Sequence, residues 1–456
     1  MRNWPPDLKP LLAPRSIAVV GASAQQNKVG GMPIRLLREN GYAGDVYPVH
    51  RTAQEIQGLR AYASLEAIGR PVDLAIVAVP AAECESVMVQ MARCGTRAAV
   101  MLTSGFAEVS EAGARAQQRM GDIARDAGIA LLGPNCLGAM NLHERMFATF
   151  SPVVLGGAPA GGKVALVSQS GAFGGYAFSM ARQAGVGLGH WVTTGNEAGV
   201  QVADAIAWLA AEPSCEAIVG YIEGARDMQR LRTALLAAKA AGKPVKLVKV
   251  GHTPAGARAA KLHTGSDTGN AAEYQRLFDE CGVRTARTIG ELFSAPAQAA
   301  DVPPAPGVPV AIFSISGGVG IMMTDRAEEL GLALPPLPDD AAARLKAAIP
   351  FASTVNPIDV TGQVFSQPAV LVDALRDAAT CGRYTDVAAF LAAAGSAPGV
   401  WPMLQECISR LRATQGAARL VLSGILSAAQ RSWLEENGCA VFAEPAHAID
   451  AVARRR

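Results

Sequence analysis

VALVSQSGAFGG at residues 164–175 and VAIFSISGGVGI at residues 310–321 share the pattern V-A-apolar-apolar-S-x-S-G, and their starts lie 146 residues apart. Each reads as a buried strand that runs into a tight turn of small residues and then into a helix. The first copy follows the Gly- and Pro-rich stretch SPVVLGGAPAGG (151–162), and the second follows PAQAADVPPAPGVP (296–309). Two such elements, one domain length apart and each behind a linker, read as duplication of one α/β unit.

Towards the N-terminus the same grammar continues. SIAVVG (16–21), an amphipathic stretch to Asn40, DVYPV (45–49), LEAIG (65–69) and DLAIVAVP (73–80) alternate as a βαβαβ series, which requires a parallel sheet. AAVMLTS (98–104), a helix from about Glu111 to Gly128 and IALLG (129–133) extend that series, and a first domain closes near Phe150. Beyond the first duplicated element, EAIVGYIEG (216–224) and KPVKLVKVG (243–251) complete a second unit. VAAFLAAA (387–394), LVLSGI (420–425) and AVFAE (440–444) complete a third. The expected fold is α/β, with three tandem doubly wound domains: a Rossmann-like domain over 1–150, a flavodoxin-like domain over 151–300 and a second flavodoxin-like domain over 305–456.

Composition narrows the function. The chain has 456 residues, 50% of them hydrophobic, and a formal charge of only +2, with Lys and Arg scattered among Asp and Glu. No basic stripe of the kind that tracks a phosphate backbone is present, so nucleic acid is not an expected partner. MRNWPPDLKPLLAP lacks the apolar core and cleavage site of a signal peptide, and no apolar run approaches bilayer-spanning length. A cytoplasmic protein is expected. The eight cysteines are dispersed, without CxxC pairs or Cys/His clusters, which argues against disulfides and structural metal.

Four segments carry chemistry. In VVGASAQQNKVGG, Gly21, Ala22 and Ser23 form a small-residue turn between strand and helix, where backbone N–H groups suit a phosphate or pyrophosphate. The second strand ends Pro48-Val49-His50-Arg51, without the acidic residue that holds the ribose of NAD. A positive residue there suits a ribose phosphate, as in CoA or NADP. The plain alternative is a solvated loop charge. Ser168, Gln169, Ser170 and Gly171 make a similar anion cradle, and S-Q-S-G-A lacks the glycine that a G-x-S-x-G nucleophile elbow needs two residues before the serine. In KLHTGSDTG, His263 reads as lying in a polar loop, and a neutral imidazole can take and return a phosphoryl group. A solvated loop histidine is the alternative. Glu223 in YIEG ends an apolar strand, at the sheet edge where open α/β folds gather their sites, and could orient an imidazole or simply be a surface carboxylate. For Cys136 in GPNCLG a buried, inert thiol is the default reading.

Taken in order, GAS, PVH, VAVP, TSGFAE, GPNCLG, SQSGA, TTGNE, IEG and HTGS span about 250 residues. This ordered set resembles the α portion of NDP-forming acyl-CoA synthetases and, more distantly, the succinyl-CoA synthetase α subunit. The resemblance implies that the first domain binds CoA, with Gly21, Ala22, Ser23, Arg51, Val79, Pro80, Ser104 and Asn135 lining the site. It implies that His263 becomes the phosphohistidine, that Glu223 orients it, and that Ser168, Gln169, Ser170 and Gly171 receive the phosphoryl oxygens. The family usually has Asn-Pro-Lys or similar where this chain has His50-Arg51, and often Ser where it has Leu262. Acid, ATP and CoA would give acyl-CoA, ADP and phosphate. ATP/ADP and Mg would sit on an ATP-grasp β-like partner subunit, in an oligomer. A CoA-binding regulatory or scaffold protein and an NAD(P)-dependent dehydrogenase are the competing readings.

Overall fold

A computed structural model describes residues 7–264, 267–294, 302–350, 352–361, 367–397 and 399–454. Gly265 and Ser266 of the HTGS motif lie outside the described residues. The chain divides into two compact units. The first comprises Met1–Leu247 with Glu273–Thr285, and the second comprises Val248–Ala272 with Ala286–Arg456.

The first unit holds two sheets. One has the all-parallel order Asp45–Val49, Ser16–Val20, Leu74–Val77, Ala98–Met101, Ala130–Leu132. Its inner strands are Val-, Ile- and Ala-rich and buried on both faces, as a sheet covered by helices on each side requires. Helices are punctuated as the sequence suggests. Ser110 caps Glu111–Ala127 by accepting the Gly113 N–H at 3.1 Å, and Gly128 ends that helix in the left-handed conformation.

The other sheet has the order Arg284–Thr285, Val245–Lys249, Ala217–Ile222, Val164–Ser168, Leu188–Thr193, Gly138–Asn141, Met146–Thr149. The last two strands pair antiparallel, so the chain before Phe150, expected to close the first domain, supplies one edge of the second sheet. Trp191, Tyr221, Phe173 and Phe178 are fully buried around this sheet. Side chains of that size stabilise by about 1.5–3 kcal/mol each on burial. Tyr221 and Phe173 pack with ring centroids 4.3 Å apart.

The second unit holds the third sheet, all parallel, in the order Ile358–Asp359, Val310–Ser314, Asp386–Ala392, Arg419–Gly424, Ala440–Phe442. Numbered along the chain, this is 2-1-3-4-5, and the parallel parts of the other two sheets have the same order. That is the flavodoxin-like doubly wound order, in which ligands collect beyond the carboxyl ends of the strands where the winding reverses.

The duplication is visible in atomic detail. Val164–Ser168 and Val310–Ser314 are five-residue strands, and each leads into a thirteen-residue helix, Gly171–Gln183 and Gly317–Glu329. In both, the first serine donates its hydroxyl to the carbonyl of the second, at 2.6 Å from Ser168 to Ser170 and 2.7 Å from Ser314 to Ser316. In both, the second serine caps the helix by accepting an N–H, from Phe173 and from Val319.

Candidate functional site

In the first sheet every residue predicted to line a cofactor lies at the carboxyl edge. Gly21 follows Val20, Arg51 lies just beyond Val49, Val79 and Pro80 follow Val77, Ser104 follows Met101, and Asn135 follows Leu132. Gly21 has φ +84°, and a Cβ there would lie 2.5 Å from the Ala78 carbonyl oxygen. The turn is therefore closed to larger residues and brings its backbone to the winding reversal between Ser16–Val20 and Leu74–Val77. Ala22 is buried beside it, Ser23 accepts the Gln25 N–H at 3.1 Å, and Pro80 opens the helix Ala81–Cys94. Arg51 is well exposed and pairs with Glu83 in the first turn of that helix. A backbone cradle of small residues flanked by one exposed guanidinium is a local chemistry suited to phosphate groups.

Three motif turns meet on Asn196 of TTGNE. Its side chain donates to Glu108 at 2.6 Å and Gln117 at 2.9 Å and accepts from Asn135 at 3.2 Å, and its backbone N–H donates to the Pro134 carbonyl. The next residue, Glu197, is buried with φ +55°, and its carboxylate takes the Val202 N–H at 2.8 Å and the Thr194 hydroxyl at 2.9 Å. Burial pushes its pKa up to about 7, against those hydrogen bonds. Neither residue was singled out from the sequence beyond its motif. A polar pair after a strand was the available signal. Burial also pushes the Cys136 thiol up to about 12, so it is inert near neutral pH.

The SQSG turn is differently employed than its polar side chains suggest. Ser168 is wholly buried and its hydroxyl is used within the turn. The Gln169 side chain spans the winding reversal, donating to the Gly224 carbonyl at 2.7 Å and accepting from the Glu223 and Gly224 N–H groups. Ser170 is the helix cap. What this cradle offers an anion is thus the backbone at the start of Gly171–Gln183. Glu223 is buried, with the Tyr221 hydroxyl donating to it at 3.2 Å.

His263 belongs to the second unit, whereas Glu223 and Ser168–Gly171 belong to the first. It is not in a loop. It lies in the last turn of the helix Pro254–Thr264. Proline at the start and the run Ala257-Arg258-Ala259-Ala260-Lys261 carry helical propensity further than the polar residues after it suggest. Within its unit the ring lies on the start of the helix Gly317–Glu329, where a Cβ at Gly317 would overlap it. Its Nδ1 is 3.1 Å from Asp359 Oδ2, and Asp359 Oδ1 accepts the Thr361 N–H at 2.9 Å. Asp359 stands opposite Ser314 across the sheet and is nearly buried. The carboxylate on the ring in this unit is therefore Asp359, together with the duplicated serine turn, and neither had been assigned to the site.

Parallel sheets wound in one order, with glycine and serine turns along their carboxyl edges, define a doubly wound α/β protein, a class in which ligands collect at those edges. Comparison with known proteins gives that class its content. Residues 15–141 match the CoA binding domain, and residues 161–299 match the succinyl-CoA ligase like flavodoxin domain. The chain is 32% identical over 443 residues to the α subunit of ADP-forming acetate–CoA ligase II from Pyrococcus furiosus, covering 95% of this chain and 93% of that subunit. It is 35% identical over 359 residues to ADP-forming acetate–CoA ligase I of Archaeoglobus fulgidus, covering 78% of this chain and 51% of that longer protein. Among solved structures, Ca. Korarchaeum cryptofilum dinucleotide forming acetyl-coenzyme A synthetase 1, in complex with phosphate and ADP, matches with a TM-score of 0.60 at 27% identity, covering 98% of this chain and 96% of that one. The chain belongs to the family of ADP-forming acyl-CoA synthetases, among their α subunits. Among the described residues no helix is long and apolar enough to cross a membrane, and no group of three or more His, Cys, Asp or Glu is placed to hold a metal ion.

Proposed function

We propose that this chain is the CoA-binding, phosphohistidine-carrying subunit of an acid–thiol ligase that converts a carboxylic acid, ATP and CoA to acyl-CoA, ADP and phosphate. A separate ATP-grasp β-like subunit completes it and carries the nucleotide and Mg²⁺. The observation that carries the reading is the His263 ring, with Asp359 on Nδ1 and the start of a helix beneath it. A carboxylate on Nδ1 fixes the tautomer that leaves the lone pair on Nε2, and aligned backbone dipoles favour an anionic phosphoryl group.

In this reading His263 takes the γ-phosphoryl group of ATP, with ADP leaving, and passes it to the substrate carboxylate to give an acyl phosphate. The CoA thiolate then attacks the carbonyl carbon and expels inorganic phosphate. Alignment and charge stabilisation are the protein's contribution to such transfers. Gly21, Ala22, Ser23, Arg51, Val79, Pro80, Ser104 and Asn135 are the proposed CoA contacts. The helix-start backbone at Gly171 and the carboxylate of Glu223 are the proposed stabilisers of the transferred group and of the charged ring.

The test is the chain incubated with ATP labelled at the γ-phosphate and its nucleotide-binding partner. Acid-labile, base-stable label is expected on the wild type and none on His263→Ala. Label that persists in His263→Ala removes the assignment. Calorimetry with CoA against NAD(P) checks the first domain, and only CoA is expected to bind.

A further inference from the structure

The chain leading into the His263 helix is held by acids of a neighbouring helix. Asp325, on Gly317–Glu329, is 2% exposed. Its carboxylate takes the Gly251 N–H at 2.7 Å, the Thr253 N–H at 3.0 Å and the Thr253 hydroxyl at 2.7 Å, and His252 Nδ1 stands 3.3 Å away. Two more acids of the same helix join it: Glu329 contacts His252 Nε2 at 2.9 Å, and Glu328 accepts the Ala255 N–H at 2.6 Å. Every one of these donors comes from residues 251–255, immediately before or within the first turn of Pro254–Thr264. Donors at a helix start need acceptors, and negative charge is favoured there, so a buried carboxylate on the adjacent helix serves as a remote cap. Hydrogen bonding to Asp325 and then Glu329 holds His252 protonated, its pKa pushed up to about 10.

The same two helices touch at their other ends, where the His263 ring lies on Gly317. One end of the contact is thus pinned by charge and the other carries the reactive ring. A helix transmits a shift along its length as a nearly rigid rod. A slip of one residue moves the ring about 1.5 Å and turns it by about 100°. Either change takes Nδ1 off Asp359.

We propose that Asp325 is a positioning residue for His263: it sets the lengthwise register of the helix Pro254–Thr264 on Gly317–Glu329, and so sets where the imidazole meets Gly317 and Asp359. This rests on the reading of His263 as the phosphoryl carrier.

The test uses the full chain as wild type, Asp325→Asn, Gly256→Ala and His263→Ala. A methyl group at position 256 would overlap the Asp325 carboxylate. Alanine nevertheless favours the helix over glycine, so Gly256→Ala displaces the clamp without weakening the helix that it holds. Carbethoxylation of each histidine by diethyl pyrocarbonate is followed by peptide mass spectrometry, with exposed His143 as the internal reference. In both clamp variants the His263-to-His143 rate ratio is expected to rise about fivefold as the ring leaves its seat. In the complete enzyme with its partner, kcat is expected to fall on the order of tenfold or more while KM for CoA stays at the wild-type value. A ratio that is unchanged or lower in either variant overturns the proposal, as does a raised ratio with unchanged kcat. If His263→Ala keeps full turnover, the carrier reading fails instead, while the reactivity ratio still decides whether the clamp sets the ring.

Discussion

His190 shows how a single side chain can bias the stability of this fold. It is 1% exposed, its ring stands 5.6 Å from that of His143 and 5.5 Å from that of Trp208, and neither of its nitrogens has a hydrogen-bond partner among the described residues. Burial pushes its pKa down to about 4 from 6.5. The unfolded chain takes up the proton near pH 6.5, whereas the folded chain resists until about pH 4. The contribution is therefore complete above pH 6.5 and is lost as pH falls through that window, by up to about 3 kcal/mol. Urea unfolding at pH 7.5 and 4.5 is expected to show a larger acid-side loss for the wild type than for His190→Leu. Equal losses would show that the ring is solvated. At the same scale, Asp359 explains why the carboxylate on His263 was illegible in the sequence. The pair is 96 residues apart, and Asp359 sits in a two-residue strand with no periodicity to mark it. His263 itself was legible as a reactive residue type, but the Gly-Ser-Thr run around it masked a helix made by the alanines before it.

The strand, serine turn and helix form the repeated element of the molecule, and its two copies invite one comparison. Ser170 and Ser316 each accept one helix-start N–H, and replacing such a cap by alanine costs about 1 kcal/mol. Ser170→Ala and Ser316→Ala are each expected to lower unfolding free energy by about that amount in denaturant titrations, without a change in the denaturant slope. A loss of several kcal/mol in only one copy would mean that the two turns are not equivalent supports. The repeat was plain in the sequence because a strand-to-helix turn of this tightness tolerates few residue types. Its second copy was read as evidence of fold alone, yet it is the copy on which the His263 ring lies. The hairpin Gly138–Asn141 and Met146–Thr149 was harder to place. Two short apolar runs look the same locally whichever sheet they join, and only their pairing with Leu188–Thr193 decides it.

At the level of the whole chain, parallel doubly wound sheets were implied by the alternation of strands and helices with right-handed crossovers, whereas the 2-1-3-4-5 strand orders are seen only in the fold. The division into compact units was not implied, since the backbone passes between them at 247/248, 272/273 and 285/286 rather than at the Pro/Ala linker. A fragment that ends at residue 300 would keep Val248–Ala272 but lose Gly317, Asp325, Glu328, Glu329 and Asp359. Such a fragment is expected to bind CoA as the full chain does. Trypsin, however, should cut it at Arg258 and Lys261 at least about tenfold faster, because the helix that carries them has lost its packing. Protection equal to the full chain would mean that the helix is held by the first unit alone.

The distance in sequence between the histidine segment and its supports also bears on how the molecule is made. The ribosome adds about 5–20 residues per second, so roughly 5–20 s separate the appearance of His263 from that of Asp359. For more than half of that interval, until residues 317–329 have been added, the nascent segment has no acid to receive its helix start and no floor for its ring. His263 thus acquires its surroundings only long after the first sheet can close.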